Sequence, residues 1–178
     1  GNFRDNIAKS HPYKGNRKHV EKPRHLQHAR DYMESKYKAT ISQGEEADDL
    51  IAMEAAKLNY KACVASIDKD MLQIPCWHFN IVRGDYLEVT PFGGIKFFYT
   101  QILTGDRADN IVGLFRVGPV KAKRILEDAE TEEDLWDCVV KAYDGNEDRV
   151  VENARLLWLR REEAEIWQPP KVRSDNKL

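Results

Sequence analysis

Apolar positions along the chain follow two rhythms. Over residues 47–58 they recur at helical spacing, with Leu50, Met53 and Leu58 toward one side. Residues 62–67, Ala-Cys-Val-Ala-Ser-Ile, make a short apolar run suited to a buried parallel strand. Upstream, Pro23 opens a helix carrying Leu26, Ala29, Met33 and Tyr37 on one side, and residues 38–42 read as a strand. Downstream, residues 70–74 read as one helical turn halted before Pro75. Residues 78–83 and 86–90 read as two strands around the turn pair Gly84-Asp85. Residues 91–94 read as loop, and residues 97–103 as a short helix ended by Gly105. A hairpin follows over residues 114–118, with Pro119 opening the next helix. Residues 134–140 and 150–159 are amphipathic, with Trp136, Leu157 and Trp158 facing a core. Pro169-Pro170 ends regular structure, leaving residues 171–178 as a disordered tail.

This pattern places carboxylates at recurrent positions. Glu46, Asp48 and Asp49 stand at a helix start, and Asp68 and Asp70 just beyond a strand's C-terminal end. That end of an open α/β sheet is where ligands bind. Two carboxylates ~4 Å apart repel by roughly 4 kcal/mol at a surface-like dielectric. A divalent cation relieves this, and hard oxygen donors suit Mg²⁺ or Mn²⁺. Acidic residues also favour a helix's first turn, which accounts for residues 46–49 but not for Asp68 and Asp70. A second acidic stretch holds Asp106 and Asp109 at i and i+3, spaced for one helical turn or a helix cap. After it, Gly113 and Gly118 bracket the hairpin, and Lys121, Lys123 and Arg124 enter the next helix. Backbone N–H groups at such a turn can hold a phosphate without reading sequence.

Composition changes the picture in one respect. The chain of 178 residues carries a net charge of −2. Residues 1–38 hold ten Lys/Arg against four Asp/Glu, a balance of +6, so the remainder sums to −8. A basic arm opposite an acidic cluster suits a metal-dependent enzyme acting on a polyanion. Within the arm, Lys14, Arg17 and Lys18 are phosphate-binding candidates, and Tyr13 could stack on a base. Cys63, Cys76 and Cys138 are scattered and read as reduced core thiols. No apolar run approaches membrane length.

Glu46-Ala47-Asp48-Asp49, Ser66-Ile67-Asp68-Lys69-Asp70, Gly105-Asp106 with Asp109-Asn110-Ile111, and Val117-Gly118-Pro119 occur in one order. That ordered set resembles the flap endonuclease and 5′→3′ exonuclease family. Asn2-Phe3-Arg4 and Tyr13-Lys14-Gly15-Asn16-Arg17 are similar to the family's arch region. Leu135-Trp136-Asp137-Cys138 and Ala154-Arg155 resemble the short exonucleases of tailed phages.

The resemblance implies an α/β, PIN-like 5′-nuclease fold, a parallel sheet flanked by helices. Residues 1–97 would form the nuclease core with its arch, residues 98–168 a mostly helical region with a helix–hairpin–helix, and residues 169–178 a tail. It implies hydrolysis of DNA phosphodiesters, as a 5′→3′ exonuclease or structure-specific flap endonuclease using two Mg²⁺ or Mn²⁺ ions. Glu46, Asp48, Asp49, Asp68, Asp70, Asp106 and Asp109 would ligate them, directly or through water. Lys14 and Arg17 would grip the scissile phosphate, and residues 113–118 the duplex backbone, with K⁺ at the hairpin. The implied substrate is a duplex with a 5′ end, nick or flap, or an RNA·DNA hybrid, cut by a monomer in a bacterial or phage-infected cytoplasm.

Two family features have no counterpart. The strand bearing one catalytic Asp, and a further Asp before the arch, would precede Gly1. The sequence therefore reads as truncated at its N-terminus. Arg116 stands where the family hairpin carries Gly. Two alternatives stay open: a toprim-type Mg²⁺ enzyme, using Glu46 with Asp68 and Asp70, and a catalytically inactive DNA-binding fragment.

Overall fold

A computed structural model describes residues 2–17 and 20–170. Lys18, one of the arm's candidate phosphate ligands, and the tail expected over residues 171–178 lie outside the described residues. The architecture is mixed α/β, as the spacing predicts, but the sheet is small and not wholly parallel. β1 (Cys63–Ala65) runs parallel to β2 (Trp77–Asn80), with Val64 opposite His78. β3 (Asp85–Glu88) returns antiparallel to β2 through a turn in which Gly84 takes φ +75°. The connection from β1 to β2 is a single 3₁₀ turn, Lys69–Gln73, rather than a long helix.

Helix α3 (Ala47–Lys57) precedes β1 and buries Ala52, Met53 and Ala55. Of the face expected from spacing only Met53 is buried, while Leu50 is half-buried and Leu58 exposed, because the small alanines allow the closer packing. With Val64, Met71, Ile74, Cys76 and Leu159, Ala52 and Ala55 form a small core beneath the sheet. Residues 38–42 do not form the expected strand. Lys38 caps helix α2 (Leu26–Tyr37) in the left-handed conformation at φ +56°, and no described strand lies alongside to pair with the segment. α2 buries none of its residues.

The larger core lies among the later helices. α4 (Pro91–Thr104) begins earlier than its apolar pattern suggests, because Thr90 caps it by accepting from the Gly93 amide and Pro91 supplies the first turn. Residues 91–94 are therefore helix, not loop. Phe98, Tyr99, Ile102 and Leu103 on α4 are fully buried. Around them lie α5 (Pro119–Ile125), α6 (Glu132–Ala142) and α7 (Glu147–Leu157). Phe98 meets Trp158 and Trp167 with ring centroids 5.0 and 5.7 Å away, so one aromatic ties α4 to the chain's end. α6 starts on a capping box between Thr131 and Asp134, which holds two otherwise unpaired amides.

Between α4 and α5 the chain makes a narrow two-stranded ribbon, β4 (Gly105–Asp106) with β5 (Ile111–Val112). Gly105 ends α4 at φ +69°, and its α-carbon faces the Gly113 backbone so closely that neither position has room for a Cβ.

Two polar devices attach the N-terminal segment. Glu152 of α7 accepts from the Lys9 and Ser10 amides at 2.7 Å each and from the Ser10 hydroxyl at 2.6 Å. Arg4, on the short helix α1 (Arg4–Ile7), is buried and donates to the Leu156 carbonyl at 2.9 Å and the Trp158 carbonyl at 2.7 Å. No described helix is long and apolar enough to cross a membrane.

Candidate active site

The arm's 3₁₀ turn (Gly15–Arg17), the start of α3, the segment after β1 and the β4–β5 turn meet in one acidic basin. On the arm side, the Tyr13 hydroxyl lies 3.0 Å from Glu46 Oε2 and 2.9 Å from Asp109 Oδ2. Lys14 Nζ pairs with Glu46 and stands 3.7 Å from Asp109, while Arg17 reaches Asp109 at 3.1 Å. Asn2 donates to Glu46 at 2.8 Å. Backbone bonds fix this side. The Lys14 amide donates to the Asp109 carbonyl at 2.9 Å, and Asn110 donates to the Pro12 carbonyl at 2.9 Å.

On the strand side, Asp68 caps the 3₁₀ turn by accepting from the Asp70 amide at 2.9 Å. Asp70 accepts from Gln101 at 2.6 Å, and Gln101 accepts from Gln73 at 2.8 Å. Gln73 also donates to the Leu157 carbonyl, so Asp70 is positioned from both cores. Asp106, almost fully buried, accepts from the Ala108 amide at 2.7 Å and pairs with Lys69 at 2.9 Å.

Electrostatics divides these groups. Burial raises Asp70 to about 6, with Asp106 and Asp68 adding repulsion. Burial likewise raises Asp48, which faces Asp68 and Glu46, and raises Asp109 despite its cationic neighbours. Burial works the same way on Asp106, but the Lys69 ammonium and the 108 and 109 amides outweigh it and hold Asp106 below its ordinary range. Burial, then Glu46 and Asp109, pushes the Tyr13 phenol up, so it stays a hydrogen-bond donor. The basin thus holds more negative charge than its cations neutralise, the condition that favours a bound cation.

Six of the seven candidate carboxylates converge here, though not as the spacing alone suggests. Asp106 and Asp109 do not share a helical turn; they stand on the ribbon and its turn and face opposite sides of the basin. Asp49 is drawn away from the basin. It is fully buried, bound by Arg4 at 2.6 and 2.8 Å, and accepts from the Arg160 amide at 3.1 Å. A carboxylate so engaged has its lone pairs filled by donors, and removing it would strand a buried guanidinium. Among the described residues, no three His, Cys, Asp or Glu side chains converge tightly enough to hold one ion.

Tyr13 is also placed differently from the expected stacking role. Its ring is 7% exposed and its hydroxyl bridges two carboxylates, so the ring face is not offered to a base. Sequence reading missed Lys69, Gln101 and Arg4. Lys69 stands between Asp68 and Asp70, so its charge was visible; Gln101 lies inside an apolar helical run and gives no such signal.

The hairpin after the ribbon is a four-residue turn, closed by the Val117 amide donating to the Leu114 carbonyl at 3.2 Å. Gly118 caps α5 at φ −99°, with open space where a Cβ would stand. Within the hairpin it is Arg116 that takes a positive φ, at +58°. Lys121 and Lys123 are exposed on α5, and Gly113 follows β5 directly, packed against Gly105 at the root of the ribbon.

The T5 D15 protein co-crystallised with metal ions superposes with a TM-score of 0.66 at 17% identity, over 87% of this chain and 69% of that one. The bacteriophage T5 D15 flap endonuclease, in a pseudo-enzyme-product complex with DNA and metal ions, gives a TM-score of 0.68 at 17% identity over the same shares. The chain has the flap-endonuclease fold. A mutant of the T5 5′-exonuclease matches with a TM-score of 0.61 at 17% identity, over 74% of this chain and 64% of that one. In sequence, DNA polymerase I of Borreliella burgdorferi is 32% identical over 108 residues, 53% of this chain and 12% of that protein. DNA polymerase I of Deinococcus radiodurans is 28% identical over 106 residues, 53% of this chain and 11% of that protein. The flap-endonuclease fold here thus spans a small part of the curated relatives it matches. No family model matches the chain.

Proposed function

We propose that the chain carries the site of a divalent-metal-dependent nuclease, which hydrolyses DNA phosphodiesters as a 5′→3′ exonuclease or flap endonuclease. The observation that carries this reading is the overcharged basin in which Asp48, Asp70 and Asp109 are all raised, set directly against Lys14 and Arg17. The fold likeness to the T5 flap endonuclease, itself crystallised with DNA and metal ions, supports it. A toprim-type enzyme gains no such support.

The donor chemistry fits hard cations. Glu46, Asp48 and Asp109 would serve one side of the basin and Asp68, Asp70 and Asp106 the other, with Asp49 left to its buried pair. Mg²⁺ or Mn²⁺, when bound, supplies the Lewis acidity that activates water and offsets charge on the reacting phosphate. The chain's residues do the rest. Lys14 and Arg17 exchange their carboxylate partners for phosphate oxygens, holding the scissile group at the basin's rim. Tyr13 keeps Glu46 and Asp109 at fixed spacing through one hydroxyl. Gln101 fixes the orientation of Asp70, and Lys69 neutralises Asp106 until another cation takes that role. The hairpin over residues 113–118, with Lys121 and Lys123, follows the duplex backbone without reading bases.

A second reading, a DNA-binding module that does not cut, draws on one observation: no three described carboxylates converge on a single point. Cleavage of a 5′-labelled flap substrate separates the two readings. Metal-dependent release of short 5′ products, lost with EDTA and slowed in single turnover by Lys14→Ala and Arg17→Ala, supports the nuclease. Salt-sensitive binding with no product in Mg²⁺ or Mn²⁺ overturns it in favour of the second.

A further inference from the structure

Phe115 is the most exposed large apolar residue described, at 84%, and it stands at the corner of the Leu114–Val117 turn. The turn divides its residues by direction. Leu114 and Val117 pack against the main core, which leaves Phe115 and Arg116 as the outward pair. Arg116 holds φ +58°, a conformation that side chains other than glycine's adopt at a cost, and its guanidinium lies 5.0 Å over the Phe115 ring. The guanidinium and the ring thus stand together at the tip of the turn. Val112 and Val120 are exposed nearby in sequence, at 48% and 71%, so the tip carries more than one apolar side chain.

The surrounding charge identifies what could cover such a tip. Residues 107–124 contain five Lys/Arg and one Asp, a balance of +4 in a chain whose total is −2. Asp109, the single acid, is turned into the basin by Tyr13 and Arg17. An apolar point borne on a basic stretch of chain suits a partner with an anionic exterior and an apolar interior, which describes duplex DNA.

We propose that Phe115 is a wedge that enters the base stack of duplex DNA at a weak step such as a nick, with Arg116 bracing the ring and reaching a flanking phosphate. The inference rests on the DNA-acting reading above and deepens it. It assigns the hairpin a part in selecting duplexes that open or bend, beyond holding a uniform backbone.

The test is binding in EDTA, where no cleavage occurs, to a nicked duplex carrying 2-aminopurine beside the nick. Phe115→Ala should weaken binding to the nicked duplex about tenfold and bring affinity close to that for an intact duplex. It should abolish the fluorescence rise that unstacking gives, with an unchanged melting temperature and salt slope. Phe115→Trp should restore both signals. Lys121→Ala should instead lower the salt slope and keep the fluorescence rise. Equal affinity and fluorescence for the wild type and Phe115→Ala would overturn the wedge, as would lost affinity with an undiminished fluorescence rise. These outcomes are independent of catalysis. A chain that shows the wedge signals and cuts nothing refutes only the nuclease reading, and one that cuts without them refutes only the wedge.

Discussion

The helices around Phe98 and the basin around Asp70 adjoin each other, and α4 belongs to both. They are held by opposite means. The first is a continuous apolar core in which Phe98, Ile102, Leu135 and Val139 lose all contact with water. The second consists of charges kept close together, with its cations divided among competing carboxylates and three of its acids raised by burial. The core gains stability from each group it contains; the basin loses some. Sites that bind ions are commonly strained in this way, and the neighbouring core supplies the margin that permits it.

Four perturbations would break or sharpen this contrast. The largest should come from the core. Phe98→Ala removes the ring that joins α4 to Trp158 and Trp167, and should cost about 4 kcal/mol, within the 3–5 kcal/mol usual for buried Phe. Denaturant melts report it, and a cost under 1 kcal/mol would mean that the larger core is not the support described.

In the basin the sign should reverse. Asp70→Asn should slow cleavage at least a hundredfold, about 3 kcal/mol of activation energy, while raising the melting temperature of the metal-free chain. DNA affinity in EDTA should stay within about twofold. A variant that loses stability and activity together would place Asp70 with the core.

The third perturbation is pH. Asp70 is raised in the folded chain to about 6 from an ordinary value near 4, so the folded state holds its proton longer than the unfolded state. Stability from this group is complete below about pH 4 and is lost as pH rises through about 6. Glu152 has the opposite sign. Burial would raise it, but its bonds from Ser10, Lys9 and Arg149 outweigh that and hold it at about 2, so its contribution is lost as pH falls below about 4.5. The stability gap between the wild type and Asp70→Asn should therefore be small at pH 4 and open against the wild type by pH 7. A gap that does not change with pH would remove the electrostatic account of the basin.

The smallest effect returns to the helices. Thr131→Ala removes half of the capping box on α6 and should cost about 1 kcal/mol, with cleavage unchanged.

How much of this was legible in the sequence follows the same division. Periodicity located α3, β1, the 3₁₀ turn after it and the buried faces of α6 and α7, because burial imposes spacing. It found the β2–β3 hairpin but not its turn, which falls at residues 81–84 with Asp85 already paired to Asn80. Candidate carboxylates were legible by number, since a cluster drawn from separate elements has little structural excuse. Pairing was not. Nothing in the order of residues says that Asp49 turns to Arg4, or that Asp106 and Asp109 part company on a ribbon, because those choices depend on long-range geometry. Pro91 reads as a loop until Thr90 is recognised as a cap, and nothing in the sequence singles out Arg116 as the hairpin's left-handed residue.

Gly105 and Gly113, in contact at the root of the ribbon, leave no slack between the hairpin and the turn bearing Asp109. If the hairpin grips a duplex and the basin cuts it, the separation of grip and blade is fixed by backbone against backbone. Such a cutter measures as it cleaves. On the nuclease reading its product ends would fall at one nucleotide rather than over several, and that uniformity would depend on two hydrogen atoms in place of two methyl groups.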